Sequence, residues 1–296
     1  MADPAPSTPA PRRSCHPLPE TVGASPAAIG LLVVGDEILS GRRQDKHLPK
    51  VIELLSERGL RLDWAEYVGD EPRRLTAALR RATVGGDLVF CTGGIGATPD
   101  DHTRQCAAAA LGRPLKLHPG AAALIKERMR EVAREQGVPF DPDRADNVHR
   151  LNMGVFPEGA QLIPNPYNRI PGFSVGHLHC VPGFPVMAWP MIAWVLDTLY
   201  GNLAGAHRWE ERSLIVRGAM EAALTPLMLA VERDHPGVRV FSLPSVDHPV
   251  HGRHIDLGVK GPPDKVGPAF RDLRHGLEAL AADIGPETVR SAGCTK

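Results

Sequence analysis

The stretch Cys91-Thr-Gly-Gly-Ile-Gly-Ala-Thr-Pro-Asp-Asp-His-Thr103 decides the fold, because it joins a buried strand to a glycine loop and a helix. The apolar run that leads into it, residues 87–91, is typical of a strand buried on both faces. Gly93, Gly94 and Gly96 remove the side chains from the following turn. The backbone of this turn can therefore approach an anion closely.

A helix is expected to begin directly after the glycine loop, at a group of polar residues. Thr98 is a good N-cap, Pro99 suits the first helical position, and the helix should run to about Leu111. Asp100 and Asp101 would then lie in the first turn. Free amides at such a start, together with the positive end of the helix dipole, favour binding of phosphate or pyrophosphate.

The two carboxylates leave two interpretations open. Acids beside a phosphate suggest that a divalent cation (Mg²⁺, Mn²⁺ or Co²⁺) shares the oxygens of both groups, which predicts a metal-assisted phosphate site. Alternatively, Asp100 and Asp101 only cap the helix and offset its dipole.

The composition is that of an ordinary soluble globular protein, with 296 residues, 43% of them hydrophobic, and a formal net charge of zero. This charge gives no electrostatic reason to expect nucleic acid or an anionic membrane as a partner. The five cysteines are scattered and odd in number, which is typical of reduced cytoplasmic thiols. The longest apolar stretch, residues 184–196, is too short to span a bilayer. We therefore expect a cytoplasmic protein.

Two more strands are expected to carry acids to the same edge of a sheet. Residues 28–34 form a continuous apolar run, and in 60–68 Leu60, Leu62 and Trp64 alternate on one face of a strand. The acids follow these strands, in Gly35-Asp-Glu37 and Gly69-Asp-Glu71. Three strands, each followed by a helix, predict a mostly parallel sheet, and ligands of such sheets bind outside the carboxyl ends of the strands. Glu37 or Glu71 is a candidate to orient an attacking water.

Beyond these local features, an ordered set of motifs over about residues 27–200 resembles the molybdopterin-binding (MoaB/Mog-type) domain, and is most similar to the amino-terminal half of the competence/damage-inducible protein A (CinA) family. The motifs are Gly35–Gly41, Val68–Glu71, Thr92–Asp101, Phe156–Ala160, Asn165-Pro166, Ile170–Phe173 and Val181–Pro185.

This resemblance implies a three-layer α/β fold, often oligomeric, that binds a phosphorylated pterin or an adenine dinucleotide at the strand ends. Three functions follow as expectations. The first is a metal-dependent pyrophosphatase acting on ADP-ribose- or FAD-like dinucleotides, the second a protein that binds molybdopterin or a nucleotide without turnover, and the third a molybdopterin adenylyltransferase. We expect a homo-oligomer whose ligand is a small nucleotide or pterin phosphate.

The same resemblance implies roles for particular residues. Asp70 and Asp101 match the acids of the metal and phosphate centre, so they are the predicted catalytic and metal-binding residues. The predicted ligand-binding residues are Gly35, Asp36, Glu37, Thr92, Gly93, Gly94, Gly96, Thr98, Asp100, Thr103, Asn165, Pro182 and Gly183. The chain departs from the family at Ala97, usually proline, and at Gln44-Asp-Lys-His47, where the family has an asparagine-containing segment. No amidase domain is expected to follow, so deamidation of nicotinamide mononucleotide should be absent.

The domain organisation is predicted as a proline-rich disordered tail over 1–26, the MoaB/Mog-like domain over 27–205, a small domain over 206–285 and a tail over 286–296. From about residue 209 the order β-α-β-β-α predicts a small α+β domain of the ferredoxin-like type.

Two groups of histidines have spacings that would permit a metal site. His248, His251 and His254 recur at every third residue, and we prefer a solvated loop to a metal site for them. His177 and His179 alternate along a strand, without other ligand-type residues nearby, which argues against metal binding.

Overall fold

The computed structural model describes residues 26–203 and 209–291. The amino-terminal tail predicted over 1–26 therefore lies almost entirely outside the described residues. No helix within the described part is long and apolar enough to cross a membrane.

A six-stranded sheet organises the larger part of the chain, in the order β2-β1-β3-β8-β7-β6. Strands β2, β1, β3 and β8 are parallel, whereas β7 and β6 each run antiparallel to the preceding neighbour. These strands are β1 (Ile29–Val34), β2 (Trp64–Val68), β3 (Leu88–Thr92), β6 (Gln161–Ile163), β7 (Gly172–Val175) and β8 (Leu178–Val181). Strands β4 (Leu115–Leu117) and β5 (Val155–Pro157) form a separate ribbon.

Helices cover both faces of this sheet, which confirms the predicted three-layer α/β fold. They are α1 (Asp36–Leu39), α2 (His47–Ser56), α3 (Pro72–Val84), α4 (Thr103–Leu111), α5 (Pro119–Glu135), α6 (Ala145–Leu151) and α7 (Pro185–Leu199). Successive side chains of β1 enter two different cores, because neighbouring residues of a strand point to opposite faces. Leu32 and Val34 pack in the core that contains α3 and α4, whereas Leu31 and Val33 pack in the core that contains α2 and α7.

The start of α4 differs from the prediction. The helix begins at Thr103 rather than at Pro99, so Asp100 and Asp101 lie in a turn before it and not in its first turn. The side chain of Asp101 accepts hydrogen bonds from the amide (2.8 Å) and hydroxyl of Thr98, and its own amide donates to the Thr98 carbonyl (3.0 Å). These three bonds close a separate turn and leave the helix to start later.

A four-stranded antiparallel sheet organises the remainder, in the order β10-β11-β9-β12. Its elements are β9 (Glu210–Arg217), α8 (Glu221–Asp234), β10 (Arg239–His248), β11 (Gly252–Gly261), α9 (Pro263–Ala279) and β12 (Asp283–Ser291). This βαββαβ order confirms the ferredoxin-like prediction. The tail predicted from residue 286 is wrong, because β12 pairs with β9 there; an irregularity between Ile284 and Glu287 accommodates the strand-breaking Gly285 and Pro286.

Candidate functional site

A cleft of about 960 Å³ lies at the carboxyl ends of the parallel strands, where the sequence predicts the site. This volume is at the large end of the range for small-molecule sites, roughly 300–1,000 Å³. The predicted residues that line it are Gly35, Glu37, Asp70, Thr92, Gly93, Gly94, Gly96, Thr98, Asp100, Asp101, Asn165, Pro182 and Gly183. Two predicted residues, Asp36 and Thr103, are not part of the lining.

The glycine loop is held from behind by the first two residues of α4. The hydroxyl of Thr103, which is fully buried, donates to the Gly93 carbonyl at 2.9 Å. Its amide donates to the Gly94 carbonyl, also at 2.9 Å. The Nη2 group of Arg104 donates to the Gly96 carbonyl at 2.6 Å. Three carbonyls of the loop are therefore drawn toward α4.

This arrangement turns backbone amides toward the cleft. The N–H and C=O of a trans peptide point in opposite directions, so the amides of Gly94, Ile95 and Ala97 face away from α4. Within the described residues, none of these amides donates to a protein acceptor. They form a concave set of donors of the kind that binds phosphate oxygens.

Two glycines make this close packing feasible. Gly93 has φ of 100°, and a Cβ there would lie 2.4 Å from the carbonyl oxygen of Val34. A Cβ at Gly96 would lie 2.6 Å from Oδ2 of Asp101. A larger residue at either position would displace the loop or the carboxylate.

Asp36 and Asp70 hold together the ends of β1 and β2. The amide of Asp36 donates to Oδ2 of Asp70 at 2.9 Å, and the amide of Asp70 donates to Oδ1 of Asp36 at 3.2 Å. Burial and the nearby charges of Asp36, Glu37 and Asp100 raise the pKa of Asp70, and the hydrogen bond from Asp36 only partly opposes this. A carboxylate surrounded by acids in this way is stabilised by a cation.

The two candidates to orient a water differ in their surroundings. Glu71 accepts hydrogen bonds from the amides of Arg73 and Arg74 at 3.0 and 2.8 Å, so it caps α3, and it lies outside the cleft lining. Glu37 lines the cleft. The geometry therefore favours Glu37 over Glu71.

The side chain of Asn165 is engaged in shaping its own loop. Its Nδ2 group donates to Oδ1 of Asn168 at 2.8 Å and to the Ile170 carbonyl at 3.0 Å, while Oδ1 accepts the amide of Tyr167 at 3.0 Å. Asn165 therefore contributes to the cleft mainly by fixing the wall in which it lies.

Sequence reasoning missed a basic side of the cleft. Arg42, Arg43, Lys46 and His47 line it together with Gln44. His47 is 4% exposed and its Nε2 lies 3.0 Å from the Gly183 carbonyl, which ties the start of α2 to the loop before α7. The signal was the departure at residues 44–47, but nothing local indicated that this segment would face the glycine loop.

A divalent metal fits the cleft if carboxylates and substrate phosphates share its coordination. Within residues 26–203 and 209–291, no group of three or more His, Cys, Asp or Glu side chains converges to hold a metal ion. Mg²⁺ is commonly held by one or two carboxylates together with substrate phosphates. Asp70 and Asp101, which line the same cleft as the loop amides, fit such a shared site.

The other histidine candidates have structural partners. His179 is fully buried, with Nδ1 2.7 Å from the Ser174 hydroxyl and Nε2 2.9 Å from the Tyr200 hydroxyl; the latter also lies 2.9 Å from Nδ1 of His177. This is a satisfied internal network.

The rings of His248, His251 and His254 lie 4.9–5.6 Å apart at the β10–β11 turn, rather than dispersed in solvent. The Nδ1 atom of His248 accepts the amides of Val250 and His251, and Nδ1 of His254 lies 2.9 Å from the Gly252 carbonyl. These bonds stabilise the turn, and the three residues do not form a metal-holding group.

Comparison with known proteins identifies matches over both parts of the chain. Residues 30–200 match the family described as "probable molybdopterin binding domain". A CinA-like protein of Anaeromyxobacter dehalogenans (strain 2CP-1) is 35% identical over 162 residues, which are 53% of this chain and 37% of that protein. A protein of Caldivirga maquilingensis is 30% identical over 265 residues, which are 87% of this chain and 98% of that protein. The chain thus spans little more than a third of the first CinA-like relative.

Solved structures give similar matches. The CinA protein of Thermoplasma acidophilum, described as of unknown function, is 26% identical with a TM-score of 0.48 and covers 58% of this chain and 96% of its own. The molybdopterin biosynthesis enzyme MoaB of Thermus thermophilus is 24% identical with a TM-score of 0.37, over 60% of this chain and 95% of its own.

Proposed function

The chain belongs to the family of probable molybdopterin-binding domains, and from this premise we propose that its cleft binds a nucleotide or pterin phosphate and, with a divalent metal, hydrolyses the pyrophosphate of ADP-ribose- or FAD-like dinucleotides. One observation supports this most directly. The cleft combines outward-facing loop amides, which suit phosphate, with acids that raise the pKa of Asp70, which suit a cation.

Each part of the cleft has a role in this proposal. The amides of Gly94, Ile95 and Ala97 hold non-bridging phosphate oxygens. Asp70 and Asp101 would hold the metal. When bound, such an ion would neutralise charge on the phosphates and lower the pKa of the attacking water. Glu37 orients the water that attacks phosphorus, and the P–O–P bond of ADP-ribose breaks to give AMP and ribose 5-phosphate.

The test is release of AMP from ADP-ribose, FAD and NADH by the purified chain, with Mg²⁺, Mn²⁺ or Co²⁺ and then with chelator. We expect chelator-sensitive AMP release from at least one of these substrates. Asp101→Asn should remove the activity, whereas Glu66→Gln, which lies in β2 outside the cleft lining and is bonded to Arg81, should keep it. Activity that survives both chelator and Asp101→Asn would exclude the metal role of Asp101.

A second function is binding without turnover, because the loop amides, which have no protein acceptor within the described residues, suffice to bind a phosphate without a metal. In this case the wild-type chain would bind molybdopterin or AMP but release no AMP from any dinucleotide. Formation of adenylated molybdopterin from ATP and molybdopterin would instead support an adenylyltransferase.

A further inference from the structure

The residue that stands out behind the cleft is Arg104, because it is an arginine with only 5% of its surface exposed. Its guanidinium donates to two neutral carbonyl oxygens, that of Gly96 in the glycine loop and that of Asn152. Its Nε atom is buried and has no hydrogen-bond partner in the part of the chain that the structure describes. Both hydrogen bonds that the guanidinium donates are therefore to uncharged groups.

Burying a charge without a counter-ion costs free energy, and buried charges in proteins are therefore usually paired. Burial lowers the pKa of Arg104, and Asp101, which acts on it through space, opposes this shift. An arginine nevertheless stays protonated in proteins, so a full positive charge remains directly behind the loop. This charge lies on the side opposite to the amides that face the cleft.

The position of Arg104 also links two walls of the cleft. Gly96 belongs to the glycine loop, and Asn152 precedes Met153, which lines the cleft from another segment. One side chain therefore fixes the direction of a loop carbonyl and the place of a second wall. Both effects favour an anion on the cleft side.

We propose that Arg104 is a positioning residue for a phosphate ligand: it keeps the loop carbonyls turned away from the cleft, and its buried charge is completed by the anion that the cleft binds. This rests on the proposed function, because it requires the cleft to hold a phosphate. Arg104 does not line the cleft, so it acts through the loop and not by touching the ligand.

The experiment compares AMP with adenosine, which differs only in lacking the phosphate, in the presence of chelator. Dissociation constants come from ligand-observed NMR titrations, which cover millimolar affinities. Arg104→Gln should weaken AMP binding on the order of tenfold, as expected for loss of one unit charge on the order of 10 Å from an anion at an effective dielectric of about 20. Adenosine binding should change by less than about twofold, because no charge is involved.

Two further variants separate charge from structure. Arg104→Lys retains the charge and should keep most of the preference for AMP. Arg113→Gln is the matched control, because Arg113 is an exposed arginine whose Nη1 also donates to a carbonyl, that of Glu158 at 2.8 Å, at the other end of α4. It should leave both affinities unchanged.

The outcomes distinguish the two proposals. A wild-type chain that binds AMP neither in chelator nor with Mg²⁺ overturns the proposed function and this inference together, whereas binding that requires Mg²⁺ overturns this inference alone. Suppose that the wild type binds AMP, and that Arg104→Gln either binds AMP and adenosine as the wild type does or loses affinity for both by the same factor. Either result overturns only the role of Arg104. Should Arg104→Gln fail to fold, judged by circular dichroism, Arg104→Lys decides the question, and a folded lysine variant without preference for AMP overturns the inference.

Discussion

Replacing Thr103 with valine tests how the glycine loop is built. Valine has nearly the same shape as threonine but cannot donate a hydrogen bond. Thr103 is fully buried, and its hydroxyl is 2.9 Å from the carbonyl of Gly93. The variant would leave this carbonyl without its donor in a place that water does not reach.

The magnitude follows from the cost of an unpaired buried polar group. Such a group lowers the free energy of unfolding by about 1–3 kcal/mol. For a domain of this size that corresponds to a thermal midpoint lower by roughly 2–12 °C. The freed peptide can also rotate, which removes the Gly94 amide from the set that faces the cleft, so binding of a phosphate ligand should weaken as well.

The assay is thermal unfolding together with AMP titration of the wild type, Thr103→Val and Thr103→Ser. Serine keeps the hydroxyl and loses only a methyl group, so we expect it to keep affinity for AMP while losing about 1 kcal/mol of stability. If Thr103→Val unfolds at the wild-type temperature and binds AMP equally well, the Gly93 carbonyl does not depend on Thr103, and this bond does not hold the loop.

Three further predictions concern titration and capping. Because burial and neighbouring acids raise the pKa of Asp70, the folded chain binds a proton there more tightly than the unfolded chain, and stability falls as the pH rises above about 4. In chelator, Asp70→Asn should thus unfold at a higher temperature than the wild type at pH 7, and the gap should narrow toward pH 4; an unchanged or lower midpoint at pH 7 would contradict this. Burial lowers the pKa of His179 to about 3, so stability is present above pH 6.5 and is lost below it by up to about 1.4 kcal/mol per pH unit. Urea unfolding at pH 7.5 and 5.5 should show a smaller loss in His179→Gln than in the wild type, and equal losses would argue against the buried neutral histidine. Glu71→Ala removes the cap of α3 and should lower the thermal midpoint while AMP release continues at the wild-type rate; a loss of turnover would return Glu71 to the list of catalytic candidates.

Much of the site could be predicted from local sequence. Apolar runs such as 28–34 and 87–91 specify buried strands, and the residues that follow them must reach the carboxyl edge of a parallel sheet. Gly93 and Gly96 stand where only a missing side chain allows the close packing that the structure contains. These features depend on neighbours in sequence, so they are readable without the fold.

The rest depended on contacts between distant parts of the chain. The helix α4 starts at Thr103 and not at the predicted Pro99, because the carboxylate of Asp101 binds Thr98 rather than capping a helix. Strand β12 exists because β9, about 70 residues earlier in the chain, offers a free edge that overrides its glycine and proline.

Arg104 most clearly separates what the sequence predicts from what the tertiary structure decides. From the sequence alone, Arg104 is expected to be an exposed residue of the helix after the glycine loop, since charged side chains are rarely buried. Only the folded chain places Asn152, 48 residues away, above the same guanidinium and closes the core around it. The sequence by itself determined the sheet, the glycine loop and the acids at one edge. The apolar runs specify the strands, and the glycines give the loop its backbone conformation. The tertiary structure alone decided which side chains are sealed behind that edge, because burial of a charge depends on every segment that packs against it.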